Sequence, residues 1–186
     1  MFSIPRAGFL VIVSLLVLAA PALKSTAEET DVFLKEYAMA GEPEAVTKLF
    51  ITAMIQYPEN KEECLRRFTI LLSDGQLDSG DAYEGQMPGK SFRFLLGQLE
   101  QKPYVARSYI QGTSPENGYA PPEGGPWEII LTPDPLGQTE ENTVKLFVDC
   151  TGADSARPIT LVKNSDGLWK VLEGSSLFTG VRPPVQ

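Results

Sequence analysis

The residues best equipped for recognition chemistry sit together in Ser108–Pro126 (SYIQGTSPENGYAPPEGGP). Tyr109, Thr113, Ser114, Glu116, Asn117 and Tyr119 combine hydroxyl, carboxylate and amide groups with two aromatic faces. That mixture suits a glycan, a peptide or a polar small molecule. Four prolines and four glycines in the segment fix a shape where a random linker would have none. Long connections of this kind bind something, or else cross and cover a sheet edge. The expectation is therefore a binding surface formed by this loop and the mouth of an adjoining sheet.

Other groupings offer less. Asp74, Asp78, Asp81 and Glu84 crowd four carboxylates beside glycines, but without the alternate-position spacing of an EF-hand, so a solvated acidic loop is expected. Arg107, Lys145 and Lys170 fall on expected strands with Asp149 nearby, and a Lys–Asp pair in a closed cavity can exchange protons if burial shifts it. Trp127 and Trp169 read as sheet or core residues, or as the floor of a pocket.

The chain has no histidine. Ser-His-Asp and Cys-His nucleophilic sites are thereby excluded, and zinc loses its commonest nitrogen ligand. Neither a Gly-x-Gly-x-x-Gly nor a Walker-type loop occurs. No catalytic residue, no metal and no cofactor is expected. An enzyme on this chain would have to work with Asp, Glu, Tyr or Lys.

Met1–Ala27 reads as a secretory signal: one positive charge at Arg6, the uncharged run Gly8–Ala20, then small-residue cleavage options. Cleavage is expected after Ala27, with Ala22 as the alternative, and no cysteine lies near either for lipid attachment. The apolar run is shorter than the roughly 20 residues of a membrane span, so no stable anchor is expected after processing. The expected location is the periplasm or the medium. Removing 27 of 186 residues leaves 159, enough for one domain. Arg6 and Lys24 leave with the signal, so 14 basic and 24 acidic residues remain and the net charge becomes −10. Such a chain is a poor partner for nucleic acid or for anionic membranes. The expected partner is an unidentified protein or a small polar ligand.

Cys64 and Cys150 are the only cysteines. In an oxidising compartment they can join, and a loop this long would contribute roughly 4 kcal/mol in the chain-entropy model. The alternative is two separate buried thiols acting as small hydrophobes.

The elements that must position these groups fall into two halves. Helical spacing is read over Asp31–Ala40, then from Pro43 to Tyr57 with Val46, Leu49, Phe50, Ala53 and Met54 on one face. Asn60-x-x-Glu63 resembles a capping box opening a third helix with Cys64, Leu65, Phe68, Leu71 and Leu72 inward. A polar stretch, Ser73–Gly89, precedes a fourth helix at Lys90–Gln101, stopped by Pro103. The second half changes to period 2, predicting strands at Tyr104–Gln111, Trp127–Thr132, Thr143–Cys150, Ile159–Lys163 and Leu168–Glu173, with a hairpin turn at Asn164–Gly167. The predicted fold is a single α+β domain, residues 28–186, with N-terminal helices packed on a curved antiparallel sheet.

That order is similar to the nuclear-transport-factor-like cone, whose helices and curved sheet enclose a pocket. The resemblance implies a fold and leaves enzymes, ligand binders and dimerisation domains all open. Near the end of the chain, Arg157-Pro158-Ile159-Thr160-Leu161, Gly167-Leu168-Trp169-Lys170-Val171, Ser175-Ser176-Leu177 and Gly180-Val181 resemble the close of a family of exported bacterial proteins known as a domain of unknown function. That resemblance implies a bacterial origin and carries no activity with it. The function expected is an exported binding or interaction module. The alternatives are a small cone-type enzyme using Asp, Tyr or Lys, or a structural envelope or dimerisation domain.

Overall fold

The computed structural model describes residues 26–124, 126–136 and 142–186. The run Gly8–Ala20 and the Ala22 cleavage option lie outside the described residues; the Ala27 option falls in the first turn of the first helix. The chain forms a single α+β domain, as predicted.

Three helices come first: α1 (Thr26–Met39), α2 (Pro43–Gln56) and α3 (Lys61–Leu71). Pro43 stands in the first turn of α2, where a missing N–H costs nothing. From there Val46, Phe50, Ala53 and Met54 are buried at helical spacing. The capping box expected at Asn60 does not form, since the Asn60 side chain makes no cap bond. Glu63 turns inward instead. Its carboxylate accepts from Arg66 Nε at 3.0 Å and Arg67 Nε at 3.1 Å, which leaves it no reach toward the start of the helix.

The polar stretch after α3 is more ordered than expected. A 3-10 turn at Asp74–Gln76 leads into a hairpin, β1 (Leu77–Tyr83) and β2 (Gln86–Pro88). Glu84 and Gly85 both have positive φ, 49° and 78°, as a two-residue primed turn requires. Asp78, Asp81 and Glu84 are spread along this hairpin, and Asp74 stands in the turn before it. Asp78 accepts from the Lys90 N–H at 2.9 Å, satisfying one of the orphan donors that open α4 (Lys90–Gln101).

The strand expected at Tyr104–Gln111 is instead a short helix, α5 (Tyr104–Arg107), followed by turns. The buried residues explain the change: Val105, Ala106, Tyr109 and Ile110 recur at one, four and five, which is helical spacing. Of Trp127–Thr132, only the end pairs as a strand, in β3 (Leu131–Pro133). The residues before it are tied by single bonds, Gln111 N–H to Glu128 O and Asp149 N–H to Ile130 O.

β3, β4 (Thr143–Val148), β5 (Arg157–Lys163) and β6 (Trp169–Glu173) make a four-stranded antiparallel meander. Its register sets Leu146 opposite Ile159, Val144 opposite Leu161, and Leu161 opposite Val171, which aligns one apolar face. The predicted turn at Asn164 forms, with Gly167 at φ 79° and the Asn164 amide oxygen accepting from Asp166 and Leu168 N–H groups. A single parallel bridge, Leu72 with Val171, joins the end of α3 to β6.

Between helices and sheet the interior is filled by aromatic rings. Phe68 contacts Phe50 at 5.3 Å and Phe92 at 5.2 Å between centroids, and Phe92 meets Phe178 at 5.5 Å, all edge to face. Phe68 is fully buried and central to this chain of rings. Phe68→Ala should therefore cost about 3–5 kcal/mol in urea unfolding. A loss under about 1 kcal/mol would mean the cluster is not the packed core.

Candidate functional site

Within the Ser108–Pro126 segment, residues 109–119 are built as a clamp. Tyr109 and Tyr119 are both fully buried. The Tyr109 hydroxyl donates to Leu177 O at 2.8 Å and the Tyr119 hydroxyl to Arg182 O at 2.7 Å, so both hold the C-terminal strap. Tyr119 also stacks on Tyr104 at 5.6 Å, and a Cβ at Gly152 would collide with its hydroxyl, so position 152 must be small. Thr113 is buried, its hydroxyl 2.7 Å from Ile110 O and 2.9 Å from the Thr151 hydroxyl. Asn117 accepts from the Ser114 N–H and donates to Gly112 O, and the Ser114 hydroxyl accepts from the Asn117 N–H. Of the six residues expected to present a ligand surface, Glu116 and Asn117 are exposed, Ser114 is half-buried, and the two tyrosines and Thr113 spend their groups inside the molecule. The loop that looked like a recognition surface is mostly architecture.

The remaining expected groups do not converge either. Cys64 and Cys150 are free thiols, both buried, in place of the disulfide considered from the sequence. Burial pushes the Cys64 thiol up to about 12. Cys150 Sγ lies 3.3 Å from the Ser108 hydroxyl. Lys145 pairs with Asp134 at 3.4 Å, Asp149 accepts from the Gln111 amide, and Arg107 reaches Glu59 at 4.0 Å. None of Arg107, Lys145 and Asp149 lines the cleft that holds Lys170.

Two hollows do gather functional groups. The first is an open groove of about 470 Å³ between α1, α2 and the Pro126–Ile129 segment. Phe33, Met39, Leu49 and Trp127 supply apolar walls, with Glu36 and Lys48 beside them. Met39 is 85% exposed and Trp127 37% exposed, large apolar groups left facing water. Arg67 lines the same groove, fixed by Glu63, by a 2.7 Å bond to the Gln56 side chain and by the Phe33 ring 5.2 Å away. Trp127, read from the sequence as a sheet or core residue with a pocket floor as the alternative, stands on the wall of this groove. Ala45 and Leu49 were not legible as groove residues, because they belong to an apolar stripe of α2 that also fills the core.

The second hollow is a polar cleft, also about 470 Å³, between the end of α3, the β1–β2 hairpin and the β5–β6 turn. Lys170 lines it, half-buried, donating to Ile70 O at the carbonyl end of α3 and lying over the Tyr37 ring at 5.1 Å. Burial holds its ammonium below the usual lysine range, against the opposing pull of Asp74, Asp166 and Glu84. Ser73 lines the same cleft at 8% exposure, and its hydroxyl has no partner.

Among the described residues, no helix is long and apolar enough to cross a membrane. A family profile described as a domain of unknown function (DUF6935) matches residues 23–185. No curated protein and no solved structure shows significant similarity to the chain. The thiols give the first check on this geometry. Ellman's reagent should find no reactive thiol in the folded protein near about pH 8 and two in guanidinium without reductant. None in either state would show that a disulfide forms after all.

Proposed function

The chain belongs to the DUF6935 family, and we propose that it is an exported bacterial interaction module that receives an apolar segment of a protein partner. Export rests on the N-terminal order of charge, apolar run and small residues, and an exported protein would work in the periplasm or the medium. The observation that carries the interaction is the groove walled by Phe33, Met39, Leu49 and Trp127. An apolar hollow with Met39 and Trp127 left facing water is the surface that a partner covers.

Two features favour a peptide over a lipid. The groove is open to solvent, where an acyl chain calls for enclosure. Its border carries Glu36 as well as Lys48 and Arg67, so both signs of charge are available to peptide groups and no single anionic headgroup is matched. The likeness to the nuclear-transport-factor-like cone rests only on helices preceding an antiparallel sheet. The interior that such a cone would use as a pocket is occupied here by Phe50, Phe68, Phe92 and Phe178, which moves the weight from a cone-type enzyme to surface recognition.

A displayed random-peptide library panned on the folded protein should yield binders rich in large apolar residues. Ala45→Arg, which projects a charged chain into the groove, should weaken the best of them by at least roughly tenfold. Phe94→Arg, on an exposed position of α4, should leave binding unchanged. A library without Ala45-sensitive binders would contradict the reading.

A further inference from the structure

The polar cleft is separate from the groove and shares no lining residue with it. Its charges are arranged in depth. Lys170 is half-buried in its wall, while Asp74, Glu84 and Asp166 are exposed around it. All three carboxylates act on the Lys170 ammonium through space, yet none comes within 4.0 Å to form an ion pair. One donor of the ammonium goes to Ile70 O and one side faces the Tyr37 ring, which leaves hydrogen-bonding capacity over. Ser73 lines the same cleft, its hydroxyl buried and unpartnered. The backbone bond from Ser73 N–H to Val171 O at 2.9 Å ties it to the strand that carries Lys170.

A buried hydroxyl without a partner costs stability and calls for an explanation. So does an ammonium facing three carboxylates across an open gap. Whatever fills the gap must accept hydrogen bonds at the wall and donate them at the rim. A divalent cation fails at the wall, because it would meet the Lys170 ammonium. A simple anion fails at the rim, among three carboxylates. A neutral polyol has donors and acceptors but leaves the charge separation unmatched.

We propose that this cleft binds a free α-amino acid as its zwitterion, the carboxylate seated on Lys170 and Ser73 and the ammonium directed to Asp74, Glu84 and Asp166. Tyr83 and Val162, both half-buried in the lining, offer apolar contact to a side chain. The ligand's carboxylate supplies the acceptor that the Ser73 hydroxyl lacks and an ionic partner for the ammonium. Its own ammonium supplies the cation that the rim lacks.

Calorimetric titration of the intact protein with the neutral L-amino acids, one at a time, tests this. At least one should bind. Its N-acetyl derivative and its amide, each lacking one charge, should bind at least roughly tenfold more weakly. Lys170→Met should abolish binding, but this variant also loses a cap on α3, so two milder variants decide. Ser73→Ala should keep or raise the melting temperature, because it removes an unpartnered hydroxyl, while weakening the ligand. Glu84→Gln combined with Asp166→Asn, both at exposed positions, should weaken binding without unfolding the protein. Ala45→Arg should leave amino-acid binding untouched, which separates this site from the groove. Absence of binding by any neutral amino acid, or equal binding by the blocked derivatives or by glucose, would overturn the proposal. So would full binding by Ser73→Ala together with the rim variant.

Discussion

Glu63 is the residue on which the helical half depends. Its side chain is 1% exposed, and an ionised carboxylate at that depth is tolerable only when fully paired. Arg66 and Arg67 supply the charges, and the Thr30 hydroxyl, 3.3 Å away, binds from α1. Arg67 continues the connection by bonding Gln56 of α2 and lying over Phe33 of α1. One carboxylate thus links three helices. Removing a partner from such a cluster costs about 3–5 kcal/mol, against a total stability of about 5–15 kcal/mol for a domain.

That dependence has a functional consequence. At 14 residues α1 is near the lower limit at which an isolated helix holds together in water, so its place is set by packing and by this cluster. α1 contributes Phe33 and Met39 to the apolar groove, and Arg67 lines it as well. The same contacts that neutralise a buried anion therefore shape the surface proposed for recognition. At the opposite end of the chain the Tyr109 and Tyr119 hydroxyls perform a comparable service, drawing the strap of residues 177–182 against the core. With α1 and this strap fastened and the centre filled by phenylalanine rings, the hollows described lie at element edges.

What could be read from the sequence follows from how local the signal is. The α2 stripe from Val46 to Met54, the meander of β4, β5 and β6, and the turn at Asn164–Gly167 each declare themselves within ten residues or so, and all are present. Tyr104–Gln111 was misread because a short apolar stretch fits either period, and only burial shows that Val105, Ala106, Tyr109 and Ile110 share a helical face. The β1–β2 hairpin was hidden because its strand Leu77–Tyr83 carries no fully buried residue to mark an alternation. Glu63 was read as half of a local capping box, since nothing in Asn60-x-x-Glu63 announces that Arg67 and Thr30 will enclose it. The sites were least legible of all. The groove joins residues 33–52 to Arg67 and 126–129, and the cleft joins 69–86 to 162–170, so their assembly is a property of the fold.

The most direct test of this account is native-state hydrogen exchange on Glu63→Gln beside the unaltered protein. If the buried carboxylate holds α1 in place, the amides of Phe33 and Tyr37 should lose protection selectively, while those of Leu96 in α4 and Leu161 in β5 keep theirs. Unchanged protection in α1, or a uniform loss across all four, would contradict the claim that Glu63 builds the groove by anchoring that helix.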